Sequence, residues 1–227
     1  PKTKGIIINS PNNPSGVVYS EETIKRLAAL LEEKQKEYGT TIYLISDEPY
    51  REIVYDNIEV PYVPKYYPNT MVCYSYSKSL SLPGERIGYI LTPDEVDESQ
   101  RLRAAIAGAG RALGYVCAPV LFQKAIARCI DTPTDIRAYK SNRDLLYNGL
   151  VSLGYECVRP QGAFYLFVKS PEPDAYAFSE RAKKYDLLIV PSDSFGCAGY
   201  VRISYCVSKK TIKDALPVFA QLIKEYQ

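Results

Sequence analysis

Four short runs of β-branched and other apolar residues, each bounded by polar or turn-forming residues, constrain this chain more than any other feature of it. Gly5-Ile6-Ile7-Ile8-Asn9 stops at the cluster Asn9-Ser10-Pro11-Asn12-Asn13-Pro14-Ser15-Gly16, which holds the residues that make turns. Residues 41–46 stop at Asp47-Glu48-Pro49-Tyr50, and residues 71–75 stop at Tyr76-Ser77-Lys78. Residues 87–91 follow directly on Gly84-Glu85-Arg86. Between the first two runs the pattern changes to a helical one. Ser20 is a natural N-cap, Glu21 and Glu22 suit the first turn, and Gly39 can end the helix. Ile24, Leu27, Ala28 and Leu31 fall on one face. Strand, helix, strand, connection, strand is the signature of an α/β fold with a mainly parallel sheet and helical crossovers. Such sheets collect ligands at the carboxyl ends of their strands. Asn13, Asp47 and Lys78 each sit just past one of those ends, so the pattern delivers three polar groups to one edge of a sheet.

Residues 94–129 read as helical, interrupted at Gly108, Gly110, Gly114 and Pro119, which predicts two helices joined by a glycine-rich bend. Those glycines lack a preceding strand, so they are read as a helix break and not as a phosphate loop. A boundary is expected near Asp131-Thr132-Pro133, dividing the chain into 1–130, part of a larger domain, and 131–227, a small α+β domain. The second part reads as helix 136–153, a strand pair within 155–168, helix 175–185, strands 187–190 and 200–207, and a final helix 209–226. There is no internal repeat.

Composition removes whole classes of function. The 227 residues carry 28 basic and 26 acidic side chains, a net charge of +2, which provides no field suited to DNA or to an anionic membrane. There is no histidine, so Ser-His-Asp and Cys-His catalysis and nearly all histidine-metal chemistry are excluded. The six cysteines show no CxxC spacing, and no metal site is expected. Several of them stand in apolar runs, which predicts buried, reduced thiols of a cytoplasmic protein. No apolar run is long enough to span a bilayer. A chain that opens at Pro1 and runs at once into a strand reads as a piece of a longer protein.

Five segments in order carry a resemblance. They are residues 9–16, Ser46-Asp47-Glu48-Pro49-Tyr50, residues 75–89 (which include Lys78, Gly84-Glu85-Arg86 and Gly88), Pro160-Gln161-Gly162-Ala163-Phe164-Tyr165, and Tyr200-Val201-Arg202-Ile203-Ser204-Tyr205. Together they are similar to the C-terminal portion of the class I/II aminotransferases of pyridoxal-phosphate (PLP) fold type I, the aspartate aminotransferase-like enzymes. The resemblance implies amino-group transfer from an L-amino acid to a 2-oxo acid. Lys78 resembles the lysine that carries the cofactor and then moves the substrate proton, a task for an amine with a depressed pKa. Asp47 resembles the carboxylate that pairs with the pyridine nitrogen and keeps the ring protonated. Asn13 and Tyr50 resemble the groups that bond the phenolic oxygen. Ser75 and Arg86 resemble the phosphate ligands, with Ser77 nearby, because a guanidinium suits a dianionic phosphate. Arg202 resembles the arginine that grips the substrate carboxylate and so sets which bond stands perpendicular to the ring. Taken singly, Lys78 also reads as a solvated strand-end lysine, Asp47 as a cap, Asn13 as a turn former and Arg202 as a surface arginine on a strand.

The matched segments begin midway through the family's pattern. The resemblance therefore implies that further strands, half of the phosphate cup and part of the substrate pocket lie outside this chain. Weak cofactor binding, little activity of the isolated chain, and an open sheet edge beside the first strand are expected. The intact enzyme is expected to be a homodimer. A PLP-dependent carbon–sulfur β-lyase would share Lys78 and Asp47. The effector domain of an aminotransferase-like transcription regulator would share the fold, and would carry a winged helix–turn–helix upstream.

Overall fold

Three consecutive isoleucines leave little choice but extended backbone, and Gly5–Asn9 forms strand β1. Ser20 then caps helix α1 (Glu21–Tyr38), its hydroxyl accepting from the Thr23 amide at 3.2 Å. Gly39 ends that helix at φ +59°, in the left-handed region where glycine has no Cβ penalty. Ile24, Ala28 and Leu31 of α1 are buried against Ile8, Leu44, Val63 and Tyr67. Each large apolar side chain so buried contributes about 1.5–3 kcal/mol. The helix returns the chain to β2 (Tyr43–Asp47), which lies parallel to β1, and β3 (Thr70–Ser75) lies parallel to β2. After β3 comes a single helical turn, α2 (Tyr76–Ser79), then β4 (Gly88–Leu91). The sheet order is β1-β2-β3-β4, with β1 at one edge and Ile7 there 70 % exposed.

The computed structural model describes residues 2–227 and divides into two units. The first holds the sheet just described and comprises residues up to Ser10, 19–52 and 59–134. The sequence reading leaves the direction of the fourth strand open and expects a helix break at Gly108 and Gly110. β4 runs antiparallel to β3, because residues 76–87 fold as one helical turn and a loop, without a helix long enough to recross the sheet. Gly108 and Gly110 do not interrupt a helix; both lie inside α3 (Ser99–Ala112). An interior glycine costs a helix only about 1 kcal/mol. The break comes at Gly114, where φ is +88°, and Pro119 then stands at the N-cap of α4 (Val120–Cys129).

The second unit comprises residues 11–18, 53–58 and 135–227. Helix α5 (Ile136–Ser152) leads into β5 (Cys157–Val158) and β6 (Tyr165–Lys169); α6 (Ala175–Lys183), β7 (Val190–Pro191), β8 (Tyr200–Ser204) and α7 (Lys209–Ile223) complete it. Its sheet is antiparallel in the order β5-β6-β8-β7. The two early segments are sewn to it by backbone hydrogen bonds. The Gly16 carbonyl accepts from Gln161 at 2.8 Å and Gly162 at 2.9 Å, and the Ile53 carbonyl accepts from Ala163 at 2.9 Å. A Cβ on Gly162 would stand 2.7 Å from Pro11 Cβ, so this approach requires glycine.

All six cysteines are unbridged, but burial is less general than their apolar neighbours predict: Cys73 and Cys157 are half-buried, while Cys117, Cys129, Cys197 and Cys206 are exposed. Cys129 ends its helix and Cys206 lies beyond the end of β8, so neither is carried into a core. No helix among the described residues is long and apolar enough to cross a membrane.

Two outcomes follow from the packing. A Cβ at Gly88 would lie 2.2 Å from the Tyr74 carbonyl oxygen across the β3–β4 ladder. Gly88→Ala is therefore expected to destabilise the first unit by roughly 2–4 kcal/mol, read as a lower denaturation midpoint. In the second unit Arg143, 1 % exposed, donates to Asp56 at 2.9 Å, to Asp144 at 2.9 Å and to the Pro160 carbonyl at 3.1 Å. Hydrogen bonds from Arg143 and then Lys140 hold the Asp56 carboxyl down to about 2. An unfolded aspartate titrates near about 3.9. The contribution of Asp56 to stability is thus full above that value and disappears as pH falls toward 2. The difference in unfolding free energy between the native chain and Asp56→Asn is expected to shrink over that window; a difference that stays constant from neutral pH down to 2 contradicts it.

Candidate active site

In the first unit the parallel strands β2 and β3 point the same way, and both end in residues that carry chemistry. Asp47 is the last residue of β2, opposite Asn9 of β1 on one side and Cys73 of β3 on the other. Asn9 Nδ2 donates to Asp47 Oδ2 at 3.0 Å and to the Asp47 main-chain carbonyl at 3.0 Å. Burial pushes the Asp47 carboxyl up from its ordinary value; the Asn9 hydrogen bond opposes that shift and the charge of Glu48 adds to it. Glu48 is buried, accepts from the Ser46 hydroxyl at 2.7 Å and pairs with Arg51.

β3 ends in α2, which carries Lys78 in its last turn. The Ser75 hydroxyl caps this turn, accepting from the Ser77 amide at 3.2 Å, and lies 2.7 Å from the Ser77 hydroxyl. Lys78 is half-buried, with its ammonium 5.9 Å from the ring centroid of Tyr50, within cation–π range. Tyr50 is itself 4 % exposed. Arg86 is exposed, adopts φ +52°, and donates to the Pro83 carbonyl at 3.0 Å. It also lines an open groove of about 940 Å³ with Cys73, Tyr89, Tyr115 and Phe122, which neither Asp47 nor Lys78 lines.

The second unit holds the other pair of predicted residues. Arg202 lies on β8, and its Nη1 donates to Asn13 Oδ1 at 2.9 Å. Its guanidinium is 4.5 Å from the Tyr165 ring centroid and 4.9 Å from that of Phe195. Aromatic faces on a guanidinium restrict its swing while leaving its in-plane donors available to a carboxylate.

The structure groups Asn13 with Arg202 in the second unit, and the amide that meets Asp47 is that of Asn9. Asn9, Tyr165 and Phe195 were not singled out from sequence. Asn9 gave a signal, since it closes the first apolar run, but its register opposite Asp47 is a property of strand pairing.

A family model described as aminotransferase class I and II matches residues 1–219. The aspartate/prephenate aminotransferase of Thermus thermophilus is 32% identical over 228 residues, which cover 98% of this chain and 57% of that protein. A probable N-acetyl-LL-diaminopimelate aminotransferase of Bacillus subtilis is 32% identical over 95% of this chain and 54% of its own length. Among solved structures, an amino transferase from Eubacterium rectale matches with a TM-score of 0.96 and 65% identity, covering 99% of this chain and 56% of that one. The chain thus spans little more than half the length of the relatives it matches.

Proposed function

The chain belongs to the class I and II aminotransferases, and from that premise we propose that it carries the lysine, the ring-side carboxylate and the carboxylate-binding arginine of an enzyme that moves an amino group from an L-amino acid to a 2-oxo acid with pyridoxal 5′-phosphate. The observation that carries this reading is the ending of neighbouring parallel strands: β2 on Asp47, and β3 on the helical turn that bears Lys78.

The donor set fits that cofactor. A primary amine suits its aldehyde, an anion whose side-chain partner among the described residues is a neutral amide suits its ring nitrogen, and the hydroxyls of Ser75 and Ser77 suit a phosphate. When bound, the cofactor supplies a sink for the electrons left on the substrate Cα after its C–H bond breaks. Lys78 would hold the cofactor through its amine and would be the base that moves the substrate Cα proton. Asp47, as the anion, keeps a proton on the ring nitrogen. Tyr50 donates to the phenolic oxygen. Asn13, whose Oδ1 accepts from Arg202, is the other residue that the resemblance assigns to that oxygen. Ser75, which caps the turn that bears Lys78, would meet the phosphate, and the resemblance assigns Arg86 to the same group although its guanidinium here donates to the Pro83 carbonyl. Arg202 binds the substrate α-carboxylate through paired donors, which supports action on α-amino acids as a class.

Two measurements test this reading. With excess pyridoxal phosphate, borohydride reduction of the 227-residue chain is expected to place the stable label chiefly on Lys78, located by peptide mass spectrometry. Lys78→Ala should lose that label and keep the background on other lysines. A label spread evenly over the lysines would sink the assignment. Arg202→Leu is expected to weaken amino-acid binding roughly 100-fold, the loss of a charge-assisted pair. Arg202→Lys, which keeps the charge but not the fork, should lie in between.

A further inference from the structure

The end of β2 is clamped more tightly than strand pairing requires. Asp47 takes two bonds from the one Asn9 amide, on its carboxylate at 3.0 Å and on its own carbonyl at 3.0 Å; the same carbonyl accepts from the Ser10 amide at 3.4 Å. A donor that touches both ends of one residue selects one side-chain rotamer for it. The parallel register sets Asn9 opposite Asp47 as the last pair of the ladder, so the short amide reaches both oxygens without leaving the strand.

We infer that Asn9 is a positioning residue for the amino-transfer chemistry, fixing the Asp47 carboxylate with a neutral donor so that its negative charge stays whole for the group it faces. This rests on the reading of Asp47 as the partner of the cofactor's ring nitrogen. The choice of an amide is what gives the inference its content. An arginine or lysine at position 9 would orient the carboxylate equally well and would cancel its field. An aliphatic residue would leave the anion in a half-buried place with no stabilising donor, and the proton would return. The amide stabilises the anion and adds no charge. Two titratable neighbours in the same unit act in one direction: Glu48 follows Asp47 in sequence and Cys73 faces it from β3, and a negative charge on either opposes ionisation of Asp47. Among the described residues the Asn9 amide supplies the hydrogen bond that favours the Asp47 anion.

The test reads Asp47 directly, in the absence of cofactor. In the 227-residue chain labelled with ¹³C at the aspartate carboxyls, the signal missing from Asp47→Asn is that of Asp47. Its titration midpoint is expected to rise in Asn9→Leu, which keeps the volume and removes the donor. It should rise further in Asn9→Asp, which keeps the shape and opposes a second carboxylate to the first. Pyridoxal phosphate affinity, read by absorbance titration, is expected to fall on the order of tenfold in both variants. Because Asn9→Asp is nearly isosteric, it supplies the same readout if Asn9→Leu does not fold. An Asp47 midpoint unmoved in a folded variant overturns the inference. So does unchanged cofactor affinity in the Asn9 variants when Asp47→Asn weakens it. If the midpoint moves as expected but Asp47→Asn binds the cofactor as tightly as the native chain, the Asn9–Asp47 coupling stands and the proposed function fails.

Discussion

Parallel pairing of β2 with both its neighbours is the constraint on which the first unit depends. Parallel strands cannot be joined by a tight turn, so the chain must recross the sheet, and α1 does so. That crossover supplies the buried face of Ile24, Ala28 and Leu31, which holds the sheet to a core. The same pairing brings successive strands to an end on the same side. A residue just inside a strand end has a backbone fixed by the ladder and a side chain at the edge of the core, half-buried and still reachable. Asp47 is such a residue, and the short turn that carries Lys78 begins one strand away. Position there follows from topology, before any interaction between side chains is considered.

The second unit is built on a different constraint, the close approach of chain segments far apart in sequence. Residues 11–18 and 53–58 are held to residues 160–163 through the carbonyls of Gly16 and Ile53. Gly16 takes φ +70°, and a Cβ there would stand 2.6 Å from Pro160 Cβ. The turn cluster that ends the first strand is therefore more than a stop signal. It is a structural part of the unit that contains Arg202, which is how Asn13 and Arg202, separated by 189 positions, come to share a hydrogen bond.

Much of this was legible from the sequence because it is local. Ser20 and Gly39 fix the ends of α1 through interactions within a few residues, and the apolar runs with their turn-forming flanks locate the strands. Lys78, Asp47 and Arg202 were singled out by the motifs they stand in and the order of those motifs. What was not legible depends on who pairs with whom. Gly108 and Gly110 carry the same signal as Gly114, yet only Gly114 adopts a conformation that demands glycine, and α3 absorbs the other two. The exposure of four cysteines depends on which face each helix and strand buries. Asn9 and Asn13 stand four positions apart in one motif, and sequence does not say that one meets Asp47 and the other meets Arg202.

Three carboxylates show how the chain distinguishes structural charge from charge kept for chemistry. Asp56 faces Arg143 and Lys140, and their hydrogen bonds hold it ionised far below the ordinary range. Glu48 is buried with Arg51 and the Ser46 hydroxyl as partners. In both cases a cation neutralises the anion, which suits a group whose task is to hold the fold together. Asp47 is half-buried, but its side-chain hydrogen-bond partner is an amide, and burial raises its pKa. A carboxylate desolvated without a cation is costly to the fold. Such a cost persists at a strand end where a ligand of opposite charge would repay it, since a protonated ring nitrogen would lower the same pKa that burial raises. Among the described residues the side-chain partner of Asp47 is a neutral amide, and in the proposed reaction the compensating charge comes from outside the chain.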